Sequence, residues 1–254
     1  MIDSHSHIFD DEFKEDLEDV LNRAKENNVN KIVLVGYSHE GNKKALDLAL
    51  KYPSFLYNTA GIHPDQTDFT TEEDIVKLED FIKQNKVYAI GEIGLDYHYE
   101  PYDKEKQKWL FISQLELAKK YHLPVVIHSR DANQETYDIL KQYHKDLKIL
   151  MHCYSGSKEL MEQYVKLGVY ISLGGPITFK NSVTPKEVCR YVPLDKFLIE
   201  TDSPYMAPVP MRGKRNESSF VKYVLEEASL LKGINVSELE RITEENTIKF
   251  FNLN

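Results

Sequence analysis

The feature that most constrains the fold of this chain is a regular alternation of short apolar runs with longer amphipathic stretches. Runs rich in Ile and Val occupy residues 1–5, 31–36, 56–62, 87–91, 124–127, 148–151, 169–173 and 197–199. Their nearly continuous apolarity is typical of parallel strands, because helices cover both faces of a parallel sheet. The pattern therefore predicts a parallel strand at each of these positions.

Helical patterns fill the intervals between the predicted strands. The first carries Phe13, Leu17, Val20, Leu21 and Ala24 at helical spacing, so one face can pack against a sheet. A capping box at residues 70–73 predicts the start of another helix. Strand–helix units repeated through 254 residues predict a closed (β/α)8 TIM barrel, as one domain over residues 1–254. The alternative is an open doubly wound sheet, but no Gly-x-Gly-x-x-Gly follows the first strand.

Histidines and carboxylates follow the predicted strands at their C-terminal ends, which is where a TIM barrel holds its active site. His5 and His7 lie two residues apart on an extended segment, so both side chains face the same way. The same spacing relates Glu200 and Asp202. The other residues at strand ends are His63, Glu92, His128 and His152. Such groups are costly to bury together unless a cation pairs them, so we predict a divalent metal centre in the barrel mouth.

The number of potential ligands indicates two metal ions. Four histidines and two carboxylates exceed the three protein ligands of a typical catalytic zinc site. Glu92 is central in the barrel order and is our candidate for a carboxylate that bridges two cations about 3.5–4 Å apart. A divalent cation lowers the pKa of a coordinated water towards ~7, and Asp202 is our candidate to accept the proton of that water.

Seven motifs, taken in order, resemble the TatD family of metal-dependent deoxyribonucleases within the amidohydrolase-type TIM barrels. They occupy residues 3–7, 61–64, 91–97, 127–132, 152–156, 199–205 and 212–217. The resemblance implies one ion held by His5, His7, Glu92 and Asp202, and another held by Glu92, His128 and His152. It also implies that His63, Glu200 and Arg130 orient the substrate or water.

The resemblance further implies DNA as the substrate, with Mg, Mn or Zn as the two ions. The Arg130 guanidinium suits phosphate oxygens, which it can bind in bidentate fashion. Arg212 and Arg215 lie in a loop past the last strand, which we expect to form a basic lip at the barrel mouth. The formal net charge of −9 predicts weak, salt-sensitive binding to long duplex, so strand ends or single strands are the expected substrates.

Composition narrows the remaining function classes. No apolar run approaches the ~18 residues that predict a membrane span, and no secretory leader is evident. Two cysteines in a chain of this length do not indicate a disulfide scaffold, which favours a cytoplasmic protein. No obligate protein partner is indicated. Two alternatives stay open: an amidohydrolase that cleaves a small ester, lactone or amide with the same ligands, and a non-catalytic metal-binding scaffold.

Overall fold

A computed structural model describes all residues, 1–254, and shows eight strands that alternate with helices. The strands are β1 (Ile2–Ser6), β2 (Lys31–Leu34), β3 (Leu56–Asn58), β4 (Ile90–Asp96), β5 (Val125–Arg130), β6 (Ile149–Met151), β7 (Tyr170–Leu173) and β8 (Phe197–Ile199). The helices are α1 (Leu17–Glu26), α2 (His39–Lys51), α3 (Glu72–Gln84), α4 (Lys104–Tyr121), α5 (Asn133–Tyr143), α6 (Lys158–Lys166), α7 (Val183–Tyr191), α8 (Val221–Lys232) and α9 (Val236–Phe251).

The strands close into a barrel in the order of the chain. Parallel pairing joins β1 to β3 and, separately, β4 to β8. Isolated parallel bridges between Ala60 and Ile90, and between Ser6 and Ser203, join the two groups. At the second junction the backbone N–H of His7 donates to the Ser203 carbonyl oxygen at 2.8 Å. The predicted TIM barrel is therefore confirmed, and the alternative of an open doubly wound sheet is wrong.

The helices present apolar faces to the barrel. In α1 the buried residues are Val20, Leu21 and Ala24, as their spacing predicts. The capping box before α3 is one residue later than predicted, because the Thr71 backbone N–H donates to Asp74 at 2.9 Å. None of the helices has both the length and the apolarity that a bilayer span requires.

The barrel interior is apolar at the end opposite the predicted site. One buried cluster there contains Val33, Val126, Leu150 and Leu198 from four strands, with Phe250 and Phe251 from α9. The last helix thus packs against side chains inside the barrel. The polar residues of the barrel interior lie at the other end, at the C-terminal ends of the strands.

The fourth strand is longer than the sequence predicts, because β4 continues to Asp96 rather than ending at Gly91. Gly94 has φ +148°, and a Cβ there would lie 1.9 Å from the His128 carbonyl oxygen. Only glycine permits that approach of β4 to β5. The polar residue Glu92 interrupts the apolar run, so the sequence pattern predicts that the strand ends before it. In the structure Glu92 and Asp96 both lie on β4. They are four residues apart and therefore face the same side of the strand.

Gly94→Ala is expected to lower the melting temperature by about 2–12 °C in thermal unfolding. The added methyl must displace β4 from β5, and overpacking of this kind costs roughly 1–3 kcal/mol. Gly168→Ala is the matched control, because Gly168 also has positive φ but has no atom within 4 Å of the added Cβ. Equal falls in the two variants would show that backbone strain, rather than close strand packing, explains the glycine.

Candidate metal centre

The six predicted ligands lie together at the C-terminal ends of the strands. They are His5 and His7 from the end of β1, Glu92 from β4, His128 from β5, His152 after β6 and Asp202 after β8. The Nε2 atoms of His5 and His7 lie 3.1 Å apart, as expected for i and i+2 residues with a shared direction. Barrel closure thus brings residues from distant parts of the chain into one cluster.

Glu92 lies at the centre of this cluster and is only 5% exposed. Its Oε1 atom is 2.9 Å from His128 Nδ1 and 2.7 Å from His152 Nε2. Its Oε2 atom is 3.4 Å from His5 Nε2 and 3.7 Å from His7 Nε2. The two oxygens of one carboxylate therefore face two different pairs of imidazoles.

In three of the imidazoles, the ring nitrogen that points away from the cluster lies close to an oxygen atom of the protein. His7 Nδ1 lies 2.8 Å from the Val35 carbonyl oxygen. His128 Nε2 lies 2.9 Å from Asp96 Oδ2. His152 Nδ1 lies 3.4 Å from Glu200 Oε1. An oxygen on the far nitrogen fixes the orientation of the ring, as in many histidine–metal sites.

The residues present fit divalent cations. Three sets of imidazoles and carboxylates have ligand atoms within 4.8 Å of one another: His5 with His7 and Asp202, His5 with His152 and Glu200, and His63 with Glu92 and His128. The Nδ1 atom of His5 is buried without a hydrogen-bond partner, and that of His152 has only the 3.4 Å ion-pair contact with Glu200. A buried polar atom without a hydrogen bond is costly in a low-dielectric interior. Mixed imidazole and carboxylate donors are typical ligands of zinc and manganese.

The pKa values within the cluster are shifted by mutual contact. Burial alone would raise the pKa of the Glu92 carboxyl, but His152 and His128 outweigh burial and hold it well below its usual value. Burial alone would lower the pKa of His152, but Glu92 and Glu200 outweigh it and raise that pKa well above its usual value. The ionised Glu92 carboxylate thus favours a protonated His152 beside it, whereas burial lowers the pKa of His5. A cation that binds to His152 must displace its proton.

Glu200, which the sequence placed among the catalytic residues, lies behind the cluster. Its side chain is fully buried and accepts hydrogen bonds from the Cys153 backbone N–H at 2.7 Å and from the Ser172 hydroxyl. Its carboxylate approaches the cluster beside His152 and His5 and does not line the cavity above the cluster. In this arrangement Glu200 holds His152 in position and has no access to a substrate.

A cavity of about 580 Å³ opens above the cluster. Two further predicted residues, His63 and Arg130, line it. His63 Nε2 lies 3.7 Å from Glu92 Oε1, so this imidazole is at the edge of the metal-ligand cluster. The Arg130 guanidinium lies 5.0 Å from the centre of the Tyr99 ring.

Arg212 and Arg215 do not line this cavity, which corrects the expected basic lip. Arg215 donates to Asp16 Oδ2 at 2.6 Å and lies 4.2 Å from the centre of the Phe13 ring. The Arg212 guanidinium lies 3.9 Å from the centre of the Phe179 ring. An ion pair and two aromatic faces therefore hold both guanidinium groups outside the cavity.

Sequence reasoning missed three residues of the site. Asp96 holds His128, while Tyr99 and Tyr205 line the cavity with exposed rings. Extending β4 past Glu92 would have revealed Asp96, because residues four apart on a strand share a face. The two tyrosines lie in loops after β4 and β8, where no periodic pattern distinguishes them from other surface residues.

Comparison with known proteins decides the family. The model of the family described as TatD related DNase matches residues 2–252. The chain belongs to this family. It is a TatD-family metal-dependent hydrolase, as the motifs predicted, and its imidazole and carboxylate cluster provides groups for metal binding.

Relatives match the TatD-family chain over its whole length. The uncharacterized metal-dependent hydrolase YabD of Bacillus subtilis (strain 168) is 42% identical over 255 residues, covering all of both chains. The 3'-5' ssDNA/RNA exonuclease TatD of Erwinia tasmaniensis is 31% identical over 259 residues, again covering all of both. The crystal structure of YJJV, a TatD homologue from Escherichia coli K12, has a TM-score of 0.95 at 32% identity, covering 100% of this chain and 98% of that one.

Asp96→Asn is expected to weaken binding of Zn or Mn by about 10–100-fold, the usual effect of removing a carboxylate that holds a metal-ligating histidine. The measurement is competition between the protein and a chromophoric chelator. Asp68→Asn, which changes an exposed carboxylate on the neighbouring loop, is the control. If the Asp96→Asn protein bound metal as tightly as the control, Asp96 would have no part in holding His128.

Proposed function

We propose that this TatD-family hydrolase cleaves phosphodiester bonds in DNA, as one catalytic domain over residues 1–254 that uses two divalent ions. The observation that carries the proposal is the convergence of four imidazoles on the buried Glu92 carboxylate at the base of an open cavity. The name of the Erwinia relative, a 3'-5' ssDNA/RNA exonuclease, supports nucleic acid as the substrate.

Two ions are proposed because each oxygen of Glu92 faces its own group of ligands. Oε2 faces His5 and His7, and Asp202 Oδ1 joins this group at 3.6 Å from His7 Nε2. Oε1 faces His128 and His152. His5, His7, Glu92 and Asp202 would hold one ion, and Glu92, His128 and His152 would hold the other. Imidazole donors suit Zn and carboxylate donors suit Mn, whereas Mg prefers a site made of oxygen ligands and water.

The bound ions would supply Lewis acidity, which ionises water near neutral pH and neutralises charge on phosphoryl oxygens. The chain itself would supply a proton acceptor and a means of orienting the substrate. Asp202 lines the cavity and its Oδ1 atom lies beside His5 and His7, so the other oxygen of its carboxylate can take the proton of an attacking water. His63 receives a backbone N–H from Asp65 on Nδ1, so its Nε2 is left to orient that water or the phosphate.

Arg130 would hold the substrate phosphate. It is the only Lys or Arg side chain that lines the cavity, and its planar fork matches two phosphate oxygens. A protein with net charge −9 has little general attraction for a polyanion, so recognition must be local. Strand ends and single strands fit this arrangement better than a long duplex, which needs an extended basic surface.

Cleavage of end-labelled single-stranded DNA by the purified protein is the test. After chelation, adding Mn, Mg or Zn is expected to restore shortening of the DNA, and Glu92→Ala is expected to lose about 100-fold or more of that activity, because it removes the carboxylate common to both ion sites. Glu72→Ala, at an exposed position in the first turn of α3, is the control and should cleave normally. Labels at either end report the direction of digestion.

One result would contradict the nuclease proposal. If the protein bound divalent ions but cleaved no DNA with any of them, phosphodiester hydrolysis of DNA would be excluded. An ester and lactone screen would then follow, because the same ligands suit a small-molecule hydrolase.

A further inference from the structure

We infer that Tyr99 and Tyr205 are base-stacking sites on opposite sides of the metal-ligand cluster, so that the protein takes a two-nucleotide step with its phosphate over the cluster. This inference rests on the proposed nuclease function and specifies the substrate it accepts. Both tyrosines line the cavity that contains Glu92, and neither has a role in holding a metal.

The topology of the barrel places the two tyrosines opposite each other. Tyr99 follows β4 and Tyr205 follows β8. Those strands lie four positions apart in a closed ring of eight, which is half the circumference. A strand of nucleic acid that reaches from one tyrosine to the other must therefore pass over the cluster between them.

Both rings are open to solvent. Tyr99 is 70% exposed and Tyr205 is 54% exposed. The chain has only four exposed aromatic side chains in all, the others being Phe69 and Tyr191, so two of the four line one cavity. The Tyr97 hydroxyl bonds to Glu135 and the Tyr37 hydroxyl to Asp10, but neither cavity tyrosine has such an internal partner. Internal hydrogen bonding therefore does not account for their placement.

Each tyrosine is also close to a group that would contact phosphate or metal. The Arg130 guanidinium lies 5.0 Å from the centre of the Tyr99 ring, on one face. The centre of the Tyr205 ring lies 6.4 Å from that of the His7 imidazole. A base on Tyr99 would thus lie beside Arg130, and a base on Tyr205 would lie beside the proposed ion site at His7, as in single-strand grooves that combine aromatic faces with cations.

Nucleobases suit the exposed rings of Tyr99 and Tyr205. Every base has an aromatic face, so stacking on tyrosine tolerates any sequence. In a duplex each base is already paired and stacked on its neighbours, so only an unpaired end can offer two bases at once. We therefore expect a dinucleotide to be the shortest good substrate, with little preference for base identity.

The test compares normal single-stranded oligonucleotides with oligonucleotides in which the last two nucleotides, at the end where digestion begins, lack their bases. For the metal-loaded wild-type protein, losing the two bases is expected to raise KM about 30-fold or more and to leave kcat within about twofold, because each stacking contact with an aromatic side chain contributes about fivefold or more to binding. Equilibrium binding of a phosphorothioate-linked strand, followed by fluorescence anisotropy, should weaken by a similar factor.

Variants of Tyr99 and Tyr205 test whether their rings cause the difference in KM between normal and abasic oligonucleotides. Tyr99→Ala and Tyr205→Ala should each raise KM on the normal strand severalfold, and together they should abolish the difference between normal and abasic strands. Tyr99→Phe and Tyr205→Phe should retain wild-type behaviour, because stacking needs the ring and not the hydroxyl. Tyr191→Ala, which removes an exposed tyrosine outside the cavity, is the control and should change nothing.

The outcomes separate this inference from the nuclease proposal. If the wild-type protein cleaves both strands with equal KM, or if the double alanine variant still discriminates between them, the stacking sites are disproved and the nuclease stands. If the wild-type protein cleaves neither strand, the nuclease proposal itself fails.

Discussion

The structure depends on burying one carboxylate, that of Glu92, among four imidazoles inside a closed barrel. A buried charge without partners would destabilise the fold by several kcal/mol, so the strand ends that surround Glu92 must all supply compensating groups. This explains why His5, His128 and His152 each lie at or just after the end of a strand. The same arrangement supplies the donors for divalent cations.

The barrel divides its interior between stability and chemistry. At one end, Phe250 and Phe251 of α9 pack against apolar strand residues. At the other, the imidazoles are held from behind by the Val35 carbonyl, Asp96 and Glu200. Rigid support on both sides leaves the metal-facing nitrogens with little freedom to turn, which is the preorganisation that binding and catalysis need.

Much of this arrangement could be predicted from the sequence, because buried parallel strands read as apolar runs and the reactive residues follow them directly. Asp96 could not, because the polar Glu92 ended the apolar run and concealed the continuation of β4. The position of Arg215 depends on an ion pair with Asp16, which lies 199 residues earlier in the chain. No local sequence pattern predicts an ion pair between residues so far apart in the chain. For the same reason no local pattern predicts that the loop residue Tyr205 lines the cavity.

We propose that the two oxygens of Glu92 bind two different metal ions. Anomalous diffraction from crystals grown with Mn or Zn would locate those ions. We expect two peaks about 3.5–4 Å apart, one beside His5, His7 and Asp202 and the other beside His128 and His152. A single peak, or two peaks on the same side of the Glu92 carboxylate, would contradict it.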